Sequence, residues 1–100
     1  MRGGVGSVTI ETLLTPEELY ENGRLYAILT LEPGSSIGFH VHNDEMESYY
    51  IISGQAEYVD DTETVNLFPG DTTLTPAGQG HSIKSVGSEP LKFLAQILYQ

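Results

Sequence analysis

GSSIGFHVHNDEMESYYIISG, residues 34–54, is the stretch on which the reading of this chain turns. Side chains alternate between the two faces of a β-strand, so His40 and His42, flanking Val41, project from one face about 7 Å apart. That separation suits two ligands of one metal ion. Glu47 opens the next strand-like run, ESYYIIS, and the intervening Asn43, Asp44, Glu45 and Met46 form a turn that folds its carboxylate back over the imidazoles. If the histidines face inward, Ser36 and Gly38 share their face, while Ile37, Phe39 and Val41 point the other way. By the same alternation Tyr49, Ile51 and Ser53 follow Glu47 inward, and Ser48, Tyr50 and Ile52 point out.

A second stretch, residues 70–85, reads GDTTLTPAGQGHSIKS. Pro76 and Gly78 bend the chain between a short threonine-rich strand and a new strand that begins at His81, with His81, Ile83 and Ser85 on one face. A third imidazole at a strand start is thus available to the His40/His42 pair.

Together the two stretches resemble the paired motifs of the cupin superfamily. The first follows G-x5-H-x-H-x4-E-x6-G at Gly34, His40, His42, Glu47 and Gly54, and the second follows G-x5-P-x-G-x2-H-x3-N at Gly70, Pro76, Gly78 and His81. Ser85 stands where the pattern has Asn, which leaves the ligand positions intact and touches only local hydrogen bonding. The resemblance implies a double-stranded β-barrel, the jelly roll, with one divalent transition metal held by His40, His42, Glu47 and His81. It further implies a small single-domain member similar to oxalate decarboxylase-like and dioxygenase-like proteins.

Composition sets bounds around this. One hundred residues form one domain with a small core. The chain has no cysteine, so disulfides and thiolate ligands are excluded, and a metal must be held by imidazole and carboxylate. Four basic residues stand against fourteen acidic ones, for a formal charge of −10. Nucleic acid and anionic membrane are held mainly by Lys and Arg, so neither is an expected partner. An anionic ligand is expected to be drawn by the metal itself, because the surrounding protein is acidic. No apolar run reaches the ~18 residues of a membrane span, and the first residues, MRGGVGSVTI, lack a signal peptide's apolar stretch. The expected location is cytoplasmic.

Along the chain, residues 1–6 are glycine-rich and expected to be mobile. Residues 7–13 read as a strand. Thr15-Pro16-Glu17-Glu18 carries helix-start signals, with Thr15 as N-cap and Glu18 closing a capping box, and predicts one short N-terminal helix that Gly23 ends. Strands are expected over 24–32, 35–42, 47–53, 55–59, 64–68 and 72–75, from His81 onward, and over 91–99. LKFLAQILY at 91–99 also fits helical spacing, but its length and β surroundings favour a strand. Short strands divided by Gly, Pro and Asp turns every eight to twelve residues indicate an antiparallel, all-β sandwich or barrel in a single domain, 1–100. An outward apolar face on the first histidine strand needs a cover, which motivates a homodimer.

Three imidazoles and one carboxylate suit manganese, iron, nickel, copper, cobalt or zinc without choosing among them. Four protein ligands on an octahedral ion leave two adjacent positions for a small oxyanion, or for a substrate oxygen and dioxygen. Tyr49, or Tyr26 and Tyr58 on neighbouring strands, would line the pocket and orient a substrate. Acid–base chemistry needs a group that is not a ligand, and Glu45, on the turn before Glu47, is the nearest candidate. Glu45 is also an alternative to Glu47 as the ligand, although the motif spacing favours Glu47. The expected function is metal-dependent chemistry on a small oxo- or hydroxy-acid, of decarboxylase, dioxygenase or isomerase type. The alternative is non-catalytic binding or sensing of a small molecule such as a sugar.

Overall fold

A computed structural model describes residues 3–100. Its described residues form nine strands: β1 (Val8–Thr12), β2 (Gly23–Leu31), β3 (Ser36–Val41), β4 (Glu45–Ser53), β5 (Ala56–Asp60), β6 (Thr64–Leu67), β7 (Thr72–Thr75), β8 (Gly80–Ser85) and β9 (Leu91–Tyr99). Every pairing is antiparallel, in a five-stranded sheet of order β1-β2-β9-β4-β7 and a four-stranded sheet of order β3-β8-β5-β6. Neighbours distant in sequence, β2 beside β9 and β3 beside β8, make the two packed sheets a jelly roll.

Period-two patterning builds the interior. In β9 the buried Leu91, Phe93, Ala95 and Ile97 alternate with Lys92, Leu94, Gln96 and Leu98, which is why LKFLAQILY lies as a strand between β2 and β4. From the same sheet Ala27, Leu29, Leu31, Tyr49 and Ile51 point inward, and they meet Ile37, Ala56, Tyr58, Leu67 and Ile83 from the other. Burial of each large side chain stabilises the fold by about 1.5–3 kcal/mol. The alternation expected for β4 and β8 is present: Glu47, Tyr49 and Ile51 are buried while Tyr50 and Ile52 are exposed, and His81, Ile83 and Ser85 are buried together.

The expected N-terminal helix does not form. Its capping box is made, since Thr15 N donates to Glu18 Oε1 and Glu18 N to Thr15 Oγ1. One turn follows, with Leu19 N donating to Thr15 O, but Tyr20 and Glu21 then enter the left-handed region at φ 54° and 61°. A good cap starts a turn, yet nucleation is costly, and so short a segment with a small apolar face gains too little packing to extend it.

The expected alternation also fails in β3. Ile37 pairs with Ile83 and His40 with His81, so β3 takes three steps where β8 takes two. This bulge at Gly38 and Phe39 turns Ile37 into the core on the same side as His40, leaving Phe39 and Val41 exposed. Tyr26 also departs from expectation: it pairs with Gln96 on the outer face of the sheet and does not line the cavity described below.

Of the glycine-rich segment expected to be mobile, residues 1 and 2 lie outside the described residues. Val5 bonds Ser36, donating to its Oγ and accepting from its N. Among the described residues no helix is long and apolar enough to cross a membrane.

Candidate metal centre

Four side chains from three elements and one turn converge between the sheets at one end of the barrel. His40 ends β3 and His81 lies directly across from it in β8, so the four-stranded sheet supplies two imidazoles. Glu47 comes from β4 in the other sheet, where it pairs with Thr75. His42 sits one residue beyond β3, held by the turn of the second motif: Gly78 N donates to His42 O at 2.7 Å, and His42 N to Gln79 O at 3.3 Å. The Pro76–Gly78 bend therefore fixes His42 against His81, which links the two sequence motifs physically.

The ligand atoms face one another. His42 Nε2 is 2.7 Å and His81 Nε2 2.8 Å from Glu47 Oε1, and His40 Nε2 is 3.7 Å from the same oxygen. Between imidazoles, His81 Nε2 lies 3.3 Å from His42 Nε2 and 3.1 Å from His40 Nε2. Ligand atoms about 2.1 Å from a common ion stand about 3.0 Å apart at right angles and about 3.4 Å apart at the tetrahedral angle. His40, His42, Glu47 and His81 thus have the dimensions of a metal-binding set, all within 4.8 Å.

What each histidine does with its other nitrogen strengthens this. His40 Nδ1 donates to the Gly38 carbonyl at 2.8 Å, a group presented by the bulge. His42 Nδ1 donates to Glu45 Oε1 at 2.9 Å. Glu45 is an acceptor only: its bidentate bonds from Arg24, Nε to Oε2 at 2.8 Å and Nη2 to Oε1 at 2.7 Å, hold its pKa down at about 2. His81 Nδ1 lies 2.8 Å from the Tyr58 hydroxyl and 3.0 Å from Thr75 Oγ1, and those two oxygens are 2.8 Å apart. Nδ1–H donating to Tyr58, with the Tyr58 O–H passing to Thr75, satisfies all three groups. Burial lowers the His81 pKa, against the opposing effect of Glu47, and raises that of Tyr58, which keeps the phenol protonated.

With every Nδ1 spent as a donor, three Nε2 lone pairs point at a carboxylate oxygen. Burial pushes the Glu47 carboxyl up, but any of these imidazoles that becomes protonated donates to it and lowers its pKa to about 2, so the carboxyl stays ionised. Tyr49 O–H donates to Glu47 Oε1 at 3.3 Å, and its ring stacks on His81 with centroids 5.0 Å apart. Four acceptor atoms gathered out of water repel one another, and a cation among them removes that cost.

A cavity of about 250 Å³ opens onto the cluster, lined by His40, His42, Glu47 and Tyr49 and by an apolar wall that includes Leu29, Ile37 and Ile97. Arg24 lines it too. Gly23 pairs with Leu98 and Leu25 with Ile97, so Arg24 is the extra residue of a bulge in β2, and bulges of this kind redirect a side chain.

Sequence reasoning placed the four candidate ligands and Tyr49 at one site, and the structure brings them together. Glu47 rather than Glu45 joins the cluster, and Glu45 stands behind His42. Tyr58 lies behind His81 instead of lining the cavity. Arg24 and Thr75 were missed. Arg24 left a signal, as one of only four basic residues in the chain; Thr75 left none. Ser85, at the motif's Asn position, is fully buried with its Oγ unpaired among the described residues, while its backbone accepts from Gly34 N and donates to Ser35 O, both at 2.9 Å.

Two packed antiparallel sheets with a three-histidine, one-glutamate cluster between them define a small β-barrel with a possible metal site. The chain belongs to the cupin family: the model of the cupin domain matches residues 27–97. It is 42% identical over 98 residues to the oxalate-binding protein of Thermotoga maritima, covering 98% of this chain and 81% of that one. A 73-residue region is 37% identical to oxalate decarboxylase OxdC of Bacillus subtilis, covering 68% of this chain but only 19% of that larger protein. Among solved structures, that of a predicted oxalate decarboxylase from Thermotoga maritima superposes with a TM-score of 0.97 at 41% identity, over 100% of this chain and 87% of that one.

Proposed function

We propose that the chain holds one divalent transition metal through His40, His42, Glu47 and His81 and binds there a small oxyanion, of which a short dicarboxylate is the best fit. The observation that carries this reading is the convergence of three Nε2 atoms on Glu47 Oε1 while each Nδ1 is engaged by Gly38, by Glu45 or by Tyr58 with Thr75. A bound metal would supply Lewis acidity, and redox chemistry if it is manganese, iron, cobalt or copper. The chain's own residues do the rest. Gly38, Glu45 and Tyr58 orient the imidazoles, and Leu29, Ile37 and Ile97 exclude water. A cavity of about 250 Å³ lies below the range usual for drug-sized ligands, so the ligand is small. The oxalate-binding relative supports a dicarboxylate.

Turnover of a small oxo- or hydroxy-acid is the second reading, favoured by the region similar to oxalate decarboxylase. It needs a proton donor or acceptor beside the ligand. Glu45 suits that role poorly, because Arg24 and His42 occupy its oxygens and hold it ionised, so we assign it to orienting His42. Tyr49 remains the candidate, with its hydroxyl on Glu47 at the cavity wall.

Elemental analysis of untagged protein purified without added metal, followed by calorimetric titration with oxalate and assay of oxalate consumption, tests both readings. Near-stoichiometric metal, oxalate binding that requires it, and recovery of the oxalate unchanged are the expected results. Oxalate binding that persists after the metal is removed would sink the first reading, and consumption of oxalate would replace it with the second.

A further inference from the structure

Arg24 is the only Lys or Arg among the described residues lining the cavity. The bulge that places it there interrupts the pairing of β2 with β9 at Gly23 and Leu25. Its Nε–H and one Nη2–H hold Glu45, which uses two of the five N–H groups of the guanidinium. Clamped in this way the side chain has already lost most of its rotamer freedom, so a further bond from its remaining N–H groups costs little ordering entropy. The other polar groups around the cavity are committed to the cluster: His40, His42 and Glu47 converge on one another, and the Tyr49 hydroxyl donates to Glu47. Ile10, Leu25, Leu29, Ile37 and Ile97 make up the rest of the lining and offer no hydrogen bonds. Charge leads to the same residue. Among the described residues lining the cavity Arg24 is the one fixed cation, and it stands beside the carboxylates of Glu45 and Glu47.

Resting on the reading of this cavity as an oxyanion site at the His/Glu cluster, we infer that Arg24 is its specificity-determining residue. It donates to the distal carboxylate of a short dicarboxylate whose near oxygens lie at the cluster, and so selects a dianion over a monoanion of equal size. Arg24 thereby has two separable functions, one through Glu45 on the orientation of His42 and one directly on the ligand.

Oxalate and glycolate separate these functions, because both are two-carbon chelators and only oxalate carries a second carboxylate. Each is titrated calorimetrically into the manganese-loaded full chain as wild type, Arg24→Gln, Arg24→Lys and Glu45→Gln, with metal content measured before and after. Loss of a charge-assisted hydrogen bond predicts that Arg24→Gln weakens oxalate on the order of tenfold to a hundredfold and glycolate less than about threefold. Arg24→Lys keeps the charge without the fork and recovers part of the preference. Glu45→Gln weakens metal binding and, because it loosens the clamp on Arg24, lowers the oxalate-to-glycolate ratio, but by less than Arg24→Gln does. If Arg24→Gln does not retain manganese, the ratio is read from Arg24→Lys, which must fall below the wild type. Equal weakening of both ligands by the Arg24 variants, or a ratio that collapses equally in Glu45→Gln, overturns the inference and leaves Arg24 as a support for Glu45. Failure of the loaded wild type to bind either ligand instead overturns the functional reading on which the inference rests.

Discussion

Glu47→Gln is the sharpest perturbation of the proposed centre, because it removes the single anionic ligand while conserving shape. Glu47 is 4% exposed and its Oε1 is the point on which His42 and His81 Nε2 converge at 2.7 and 2.8 Å. In the metal-free protein Gln places a neutral amide in the same space and can donate to one of those nitrogens, so the expected change in stability is within about 1 kcal/mol. With metal the two proteins diverge. A ligand present at one hundred times its Kd stabilises the folded state by about 2.7 kcal/mol, which for a domain of this size raises Tm by roughly 10–20 °C. If Gln weakens the metal about a hundredfold, the same concentration sits at its Kd and stabilises by only about 0.4 kcal/mol. Thermal unfolding followed by circular dichroism, with manganese or zinc titrated into chelator-treated wild type, Glu47→Gln and His81→Ala, reads this directly. The chain carries fourteen acidic residues, so weak cation binding elsewhere is the competing explanation. Equal rises in Tm for wild type and both variants, or no rise in any of them, would refute the reasoning.

Three further outcomes are expected. Gly54→Ala should lower stability by at least about 1–2 kcal/mol, measured by urea unfolding, because Gly54 lies at φ 85° and an added Cβ would stand 2.6 Å from Pro90 O; a smaller loss would show that the β4–β5 turn relaxes. Glu45→Gln should remove an acid-sensitive increment of stability. The folded pKa of Glu45, about 2, lies below its ordinary value of 4.5, so the increment is full above about pH 4.5 and is lost as pH falls toward 2. Screening of this partly exposed pair holds it to about 1 kcal/mol, and a wild type-minus-variant difference that does not shrink between pH 5 and 2.5 argues against it. Light scattering is expected to give the mass of a homodimer that covers exposed side chains such as Phe39, Val41 and Leu74, and a monomer at all concentrations would count against the dimer.

Elements whose physics is local were legible along the chain. Alternation in 47–53, 81–85 and 91–99 fixed which side chains of β4, β8 and β9 face the core, and turn residues at Gly34, Gly54, Gly70 and Gly78 marked where strands end. The spacing of His40, His42, Glu47 and His81 was legible because strand geometry and one tight turn bring the first three together, and a strand start supplies the fourth. Departures from that regularity and contacts between the sheets emerged with folding. The bulge in β3 turned Ile37 inward against the period-two rule and offered the Gly38 carbonyl to His40. The bulge in β2 carried Arg24 to the cavity, where it holds Glu45 ionised as an acceptor for His42. The Tyr58–Thr75–His81 contact joins residues from β5, β7 and β8 that no sequence interval relates. The capping box at Thr15 and Glu18 formed without its helix, because a cap is a two-residue interaction whereas a helix needs a packed face. The ligand positions were therefore written in intervals along the chain. Their hydrogen-bonded supports were written in the register between strands, which only folding sets.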